Sequence, residues 1–136
     1  MALGDLILDE TGNVTGLRVL STDASGTTME MSLQTEGTIR GTAETTYWTY
    51  TQTIRSDGSI YGQGQGVMTT ADGDVLHVIG HGSGQAAGPG EPVRFLTMLH
   101  VHTAAAKYSD LNSIGLAGEY EVAADGSATN KNWAWS

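Results

Sequence analysis

The sequence predicts an all-β fold: a closed antiparallel meander β-barrel of about eight strands with one short helix, residues 1–136 forming a single domain. Three observations predict it. Turn signals recur at near-regular spacing, as ETGN (10–13), DASG (23–26), SDGS (56–59), ADGD (71–74), AAGPGEP (86–92) and ADGS (124–127), between runs rich in Val, Ile, Thr, Tyr and Trp. The composition, with 19 Gly, 2 Pro and only 6 Lys plus Arg, is that of many short strands and tight turns. Finally, one stretch alone reads as helix, so consecutive strands must be joined by hairpins, and closing such a meander removes its exposed edges.

Taken in order, the strands fall near 4–9, 14–22, 27–36, 42–55, 59–70, 74–84, 93–103, 116–123 and 128–135, the first two separated by ETGN. Asp-Gly at 57–58, 72–73 and 125–126 marks three hairpins, because glycine accepts the positive φ those turns need. The helical stretch is TAAAKYSDLN, Thr103 to Asn112, good helix formers stopped by Gly115. Seven glycines lie within 61–84, inside what otherwise reads as a strand pair. Glycine weakens a strand, so these must make room for a bulky neighbour or a ligand.

Composition narrows the function classes. A net charge of −9 repels phosphate backbones and anionic lipid, which argues against nucleic acid and membrane surfaces as partners. No run approaches the roughly 20 apolar residues of a membrane helix. The absence of Cys removes thiolate chemistry and disulfides, and MALGDLILDE lacks a basic leader region, so the expected location is cytoplasmic.

Alternation along the strands assigns faces. On 42–55, Glu44, Trp48 and Tyr50 share the more aromatic face, which is set inward; Leu76 and Val78, and Phe95 and Leu99, lie on the inward faces of their strands. At Asp57-Gly58 a three-residue loop with a glycine bulge is preferred over a two-residue loop, because it sets Trp48 opposite Gly66 and Tyr50 opposite Gly64. At Asp125-Gly126 a two-residue turn sets Gly118 opposite Trp133, Leu116 opposite Trp135 and Lys131 opposite Tyr120.

Three segments, 62–74 (GQGQGVMTTADGD), 80–84 (GHGSG) and 111–121 (LNSIGLAGEYE), resemble the allene oxide cyclase-like barrels, which are related in fold to dirigent proteins, and small uncharacterised bacterial proteins of the same barrel. The resemblance covers roughly residues 59–136 and implies an apolar lumen, frequent oligomers and the binding or cyclisation of hydrophobic substrates. No catalytic residue maps across, so none is carried over.

The candidate site therefore comes from the residues. Glu44 among aromatics is the candidate acid or base of a cyclase, isomerase or hydrolase type of enzyme, since burial raises a carboxyl's pKa; the plainer alternative is a solvated Glu44 at the rim. Trp48, Tyr50, Leu76, Val78, Phe95, Leu99, Tyr120, Lys131 and Trp133 are the expected ligand contacts for a small hydrophobic molecule. Lys131 can hold a carboxylate or rest its stem on the aromatics, and Trp133 can stack on a ligand or plug the core. No cofactor is expected. A non-catalytic carrier with the same lumen is one alternative, and a metal on His77, His100 and His102 another, though those imidazoles fall on the outer face and no acid follows His100-Val-His102. The outer stripe Val75, Ile79, Leu96 and Met98 points to a homo-oligomer, which sedimentation would reveal.

Overall fold

The computed structural model describes residues 3–86 and 88–136, so Met1, Ala2 and Ala87 of the AAGPGEP loop lie outside the described residues. Eight antiparallel strands close into one barrel in sequence order: β1 Leu3–Asp23, β2 Gly26–Ile39, β3 Thr42–Arg55, β4 Ser59–Thr70, β5 Val75–Gln85, β6 Val93–His102, β7 Gly115–Val122 and β8 Ser127–Trp135. A 3₁₀ helix, Ala106–Ser113, interrupts the β6–β7 connection, tighter and later than the helix expected over 103–112.

The first correction concerns ETGN. These residues do not turn; Glu10 pairs with Gly37 of β2 and Asn130 of β8, and Asn13 with Gln34 and Ser127. Two predicted strands are one long β1. Gly12 is there for closeness: a Cβ on it would stand 2.0 Å from the Gln34 carbonyl oxygen. Bulges between Val14 and Gly16 and between Val19 and Ser21 take up the bending instead.

The Asp-Gly hairpins share one geometry. Ile54 pairs with Ile60, Thr69 with Val75 and Val122 with Ala128, each around a three-residue loop. Gly58, Gly73 and Gly126 carry φ of 86°, 87° and 88°. In two of them the aspartate accepts from the serine two residues on: Asp57 from the Ser59 N–H at 2.9 Å and Asp125 from the Ser127 N–H at 2.9 Å. The bulged register at Asp57-Gly58 is as expected. The two-residue turn expected at Asp125-Gly126 is a bulge as well, so β8 shifts by one: Gly118 faces Asn132, Ala117 faces Trp133 and Tyr120 faces Asn130.

A one-residue shift exchanges the two faces of a strand. Asn130 and Asn132 are therefore buried within the barrel, while Lys131 is exposed beside Glu119 and Trp133 takes the same outer side.

The barrel is filled at the helix end. Tyr108 and Leu111 of the 3₁₀ helix plug it, packed with Leu8, Ile39, Met68 and Leu76. Arg40, in the two-residue β2–β3 turn, forms a fork-to-fork ion pair with Asp110, and Lys107 reaches Asp72 of the β4–β5 turn at 3.2 Å, so the plug is tied to both hairpins below it.

Candidate functional site

Above the plug the inward positions of β4 and β5 are glycines. Gly64 pairs with Gly80 and Gly62 with Gly82, which leaves a bare wall two strands wide. Large side chains from the adjoining strands rest on part of it. A Cβ on Gly66 would stand 2.5 Å from the Trp48 ring, one on Gly64 2.4 Å from Tyr50 Cβ, and one on Gly80 2.3 Å from a Leu99 methyl. Gly62 differs, since a Cβ there would meet its nearest atom at 3.4 Å. Between the seated rings and this wall lies a cavity of about 80 Å³. Trp48, Tyr50, Phe95, Leu99 and Tyr120 line it, together with Thr35, Thr97 and Asn130.

Three of the lining rings form a cluster at the far end. Tyr50 meets Phe95 and Tyr120 edge-on, with centroids 6.3 and 5.7 Å away, and the two tyrosine hydroxyls hydrogen-bond at 3.0 Å. Burial holds both phenols in the neutral form by raising their pKa values. They are polar points in an otherwise apolar chamber, not bases.

Beside the cavity lies a pair of buried carboxyls. Glu44 is 5 % exposed and Glu10 1 %. The row through them runs Asn130, Glu10, Gly37, Glu44 across β8, β1, β2 and β3. Gly37 offers no side chain between the two glutamates, so they meet across it. Burial, then the hydrogen bond and charge of Glu10, push the Glu44 pKa up to about 9, against the opposing effect of the Thr46 hydroxyl, which donates to Glu44 at 2.7 Å. Glu44 therefore keeps its proton at neutral pH. Glu10 accepts from Asn130 Nδ2 at 3.0 Å, and Asn130 Oδ1 accepts from Asn132 Nδ2 at 2.9 Å, extending the network around the barrel.

The rim position considered for Glu44 is thus corrected: it is interior. It does not line the cavity, however; Asn130 stands between the cavity and Glu10. Of the expected contacts, Trp48, Tyr50, Phe95, Leu99 and Tyr120 come together around the cavity, whereas Leu76 and Val78 point inward into the filled half. Lys131 and Trp133 lie outside, as the β8 register requires. Sequence reasoning missed Glu10, because it sat in a supposed turn, and Asn130 and Asn132, because a supposed two-residue loop turned them outward.

On the outer wall His77 pairs with His102 and His100 with Ile79. Among the described residues no group of three or more His, Asp or Glu side chains is placed to hold a metal ion. The stripe of Val75, Ile79 and Leu96 is exposed but interrupted by His77 and His81. Among the described residues no helix is long and apolar enough to cross a membrane.

No protein-family model matches the sequence, and no curated protein matches it either. Solved structures do. A conserved protein of unknown function from Rhodopseudomonas palustris aligns over 99 % of both chains at 19 % identity with a TM-score of 0.80. A protein of unknown function from Clostridium acetobutylicum aligns over the whole of both at 14 % identity and 0.87. An enzyme from Penicillium herquei aligns over 98 % of this chain and 96 % of its own at 15 % identity and 0.68. At these identities the shared property is the barrel.

Proposed function

We propose that the barrel binds a small hydrophobic molecule in its lumen. The observation that carries this reading is the bare wall of paired glycines, Gly62–Gly82 and Gly64–Gly80, facing a mainly apolar cavity instead of being fully covered by side chains. Gly64, Gly80 and Gly82 seat Tyr50, Leu99 and Thr97, but at Gly62 a Cβ would meet nothing nearer than 3.4 Å, and a domain that needed only a core would place a larger residue there, since interior strand glycine costs about 0.5–1 kcal/mol relative to Ala. An apolar lumen of this kind agrees with the resemblance to allene oxide cyclase-like barrels, and on that ground we assign the chain to that superfamily as part of the proposal.

Gly62→Ala tests the reading. The added methyl meets ordinary contacts and projects into the cavity. Stability should stay level or rise by about 0.5 kcal/mol, while affinity for a lumenal probe, followed by Trp48 fluorescence, should fall several-fold. Unchanged affinity for every probe that binds the parent would place the ligand elsewhere.

A second reading, that the lumen also carries out acid–base chemistry, is favoured by the raised pKa of the buried Glu44 and agrees with a distant neighbour that is an enzyme. Its acid would be Glu44 with its neighbour Glu10, a pair that Asn130 alone separates from the cavity. Glu44→Gln should then retain ligand binding and lose turnover by at least about a hundredfold. Equal turnover in variant and parent removes Glu44 from the chemistry and leaves a carrier.

A further inference from the structure

The polar network has a direction, and its end is unpaired. Asn130 Nδ2 donates to Glu10 Oε1, which leaves the Asn130 amide oxygen on the other side. That oxygen faces Asn132 and takes the Asn132 Nδ2 proton, which in turn leaves Asn132 Oδ1 as the terminal acceptor. Asn132 is 0 % exposed and its Oδ1 has no partner. Thr97 Oγ1, the neighbouring hydroxyl, is buried without a partner too.

These two orphans are brought together by the backbone. Along one row across the barrel stand Asn132, Gly118, Thr97, Gly82 and Gly62. Gly118 plays the part here that Gly37 plays for the carboxyls: a Cβ on it would lie 2.0 Å from Asn132 Oδ1 and 2.6 Å from Thr97 Oγ1, so both oxygens lean over it. On the far side of Thr97 the row continues as the bare cavity wall, and Thr97, Gly82 and Gly62 all line the cavity. A buried oxygen left unpaired carries the cost of its lost hydration, which a donor arriving from the cavity would recover.

We propose that the lumenal ligand is recognised by a hydrogen bond it donates to Thr97 Oγ1, which lines the cavity, with Asn132 Oδ1 behind it across Gly118. The ligand class is then a small, mainly apolar molecule bearing one hydroxyl or N–H donor, a phenol being the simplest member. This assignment rests on the lumenal-binding reading. It goes beyond that reading by stating the polarity of the ligand's polar end: a donor, where an ether or ester of the same size is rejected.

Phenol, toluene and anisole separate the two claims, being close in size and differing in the donor. Titrated calorimetrically into the parent protein, phenol should bind at least about tenfold more tightly than either of the others, the reverse of what an all-apolar pocket prefers. In Thr97→Val the ratio should fall to about one; should that variant fail to fold, the comparison on the parent protein still decides. Toluene or anisole binding as tightly as phenol would overturn the donor assignment while leaving lumenal binding in place, the orphan oxygens then being a water site. Failure of all three to bind would sink lumenal binding itself, and this inference with it.

Discussion

Raising the pH from about 5 to about 9 is expected to destabilise this protein steadily, and Glu44→Gln is expected to abolish most of that loss. The sign follows from which state holds the proton. Unfolded, Glu44 titrates near the ordinary glutamate value of 4.5; folded, beside Glu10 and away from water, it keeps its proton up to about 9. Between those values the folded chain binds more protons than the unfolded one, so each step of rising pH favours unfolding. The steepest slope for a single group is on the order of 1 kcal/mol per pH unit. Gln at 44 donates an amide N–H to Glu10 and accepts from Thr46, preserving the contacts without the titration. Urea denaturation midpoints across the range measure it, and the variant should be the more stable of the two at pH 9. On the acid side the trend reverses, because hydrogen bonds from Ser25, Ser59 and Ser127 hold Asp23, Asp57 and Asp125 below their usual range, a contribution lost as pH falls through those values. Those three are fully exposed, so the alkaline slope dominates. A pH profile in which parent and variant run parallel would mean that Glu44 does not keep its proton.

Much of the fold and about half of the site were legible from local chemistry. Asp-Gly turns and period-two alternation specify which residues of β3 to β6 face inward, and the cavity-lining Trp48, Tyr50, Phe95 and Leu99 follow from that alone. What escaped depended on counting loop residues. Asp57-Gly58-Ser59 and Asp125-Gly126-Ser127 are the same tripeptide, and both form the same bulge. Treating the second as a two-residue loop reversed β8 and hid both asparagines, so the matching tripeptide was the signal that would have found them. Glu10 was hidden for a different reason. Glu-Thr-Gly-Asn has turn composition, and no local rule distinguishes a glycine that turns the chain from one that lets two strands approach; only the pairing of β1 with β2 and β8 together decides it.

Glycine substitutions turn that distinction into an ordered expectation. Ala at 62, 66 and 37 makes the same chemical change at three inward strand positions, none with positive φ, and should give three different outcomes. At 62 the methyl has room. At 66 it meets the Trp48 ring at 2.5 Å, a side chain able to tilt into the neighbouring cavity, so the cost should be about 1–2 kcal/mol. At 37 it meets the Asp9 carbonyl oxygen at 1.9 Å and the Glu10 Cα at 2.9 Å, both backbone atoms of a strand already paired on its other side to β8. Nothing there can tilt. The β1–β2 ladder must open, and Glu10 and Glu44 part as it does, leaving a buried carboxylate with one donor fewer. Gly37→Ala should therefore lose at least about 3 kcal/mol, or fail to fold, and any folded fraction should show a flattened pH profile between 5 and 9. Chemical denaturation of the three variants side by side measures the order. A Gly37→Ala protein within about 1 kcal/mol of the parent would show that β1 and β2 do not approach as closely as the carboxyl pair requires.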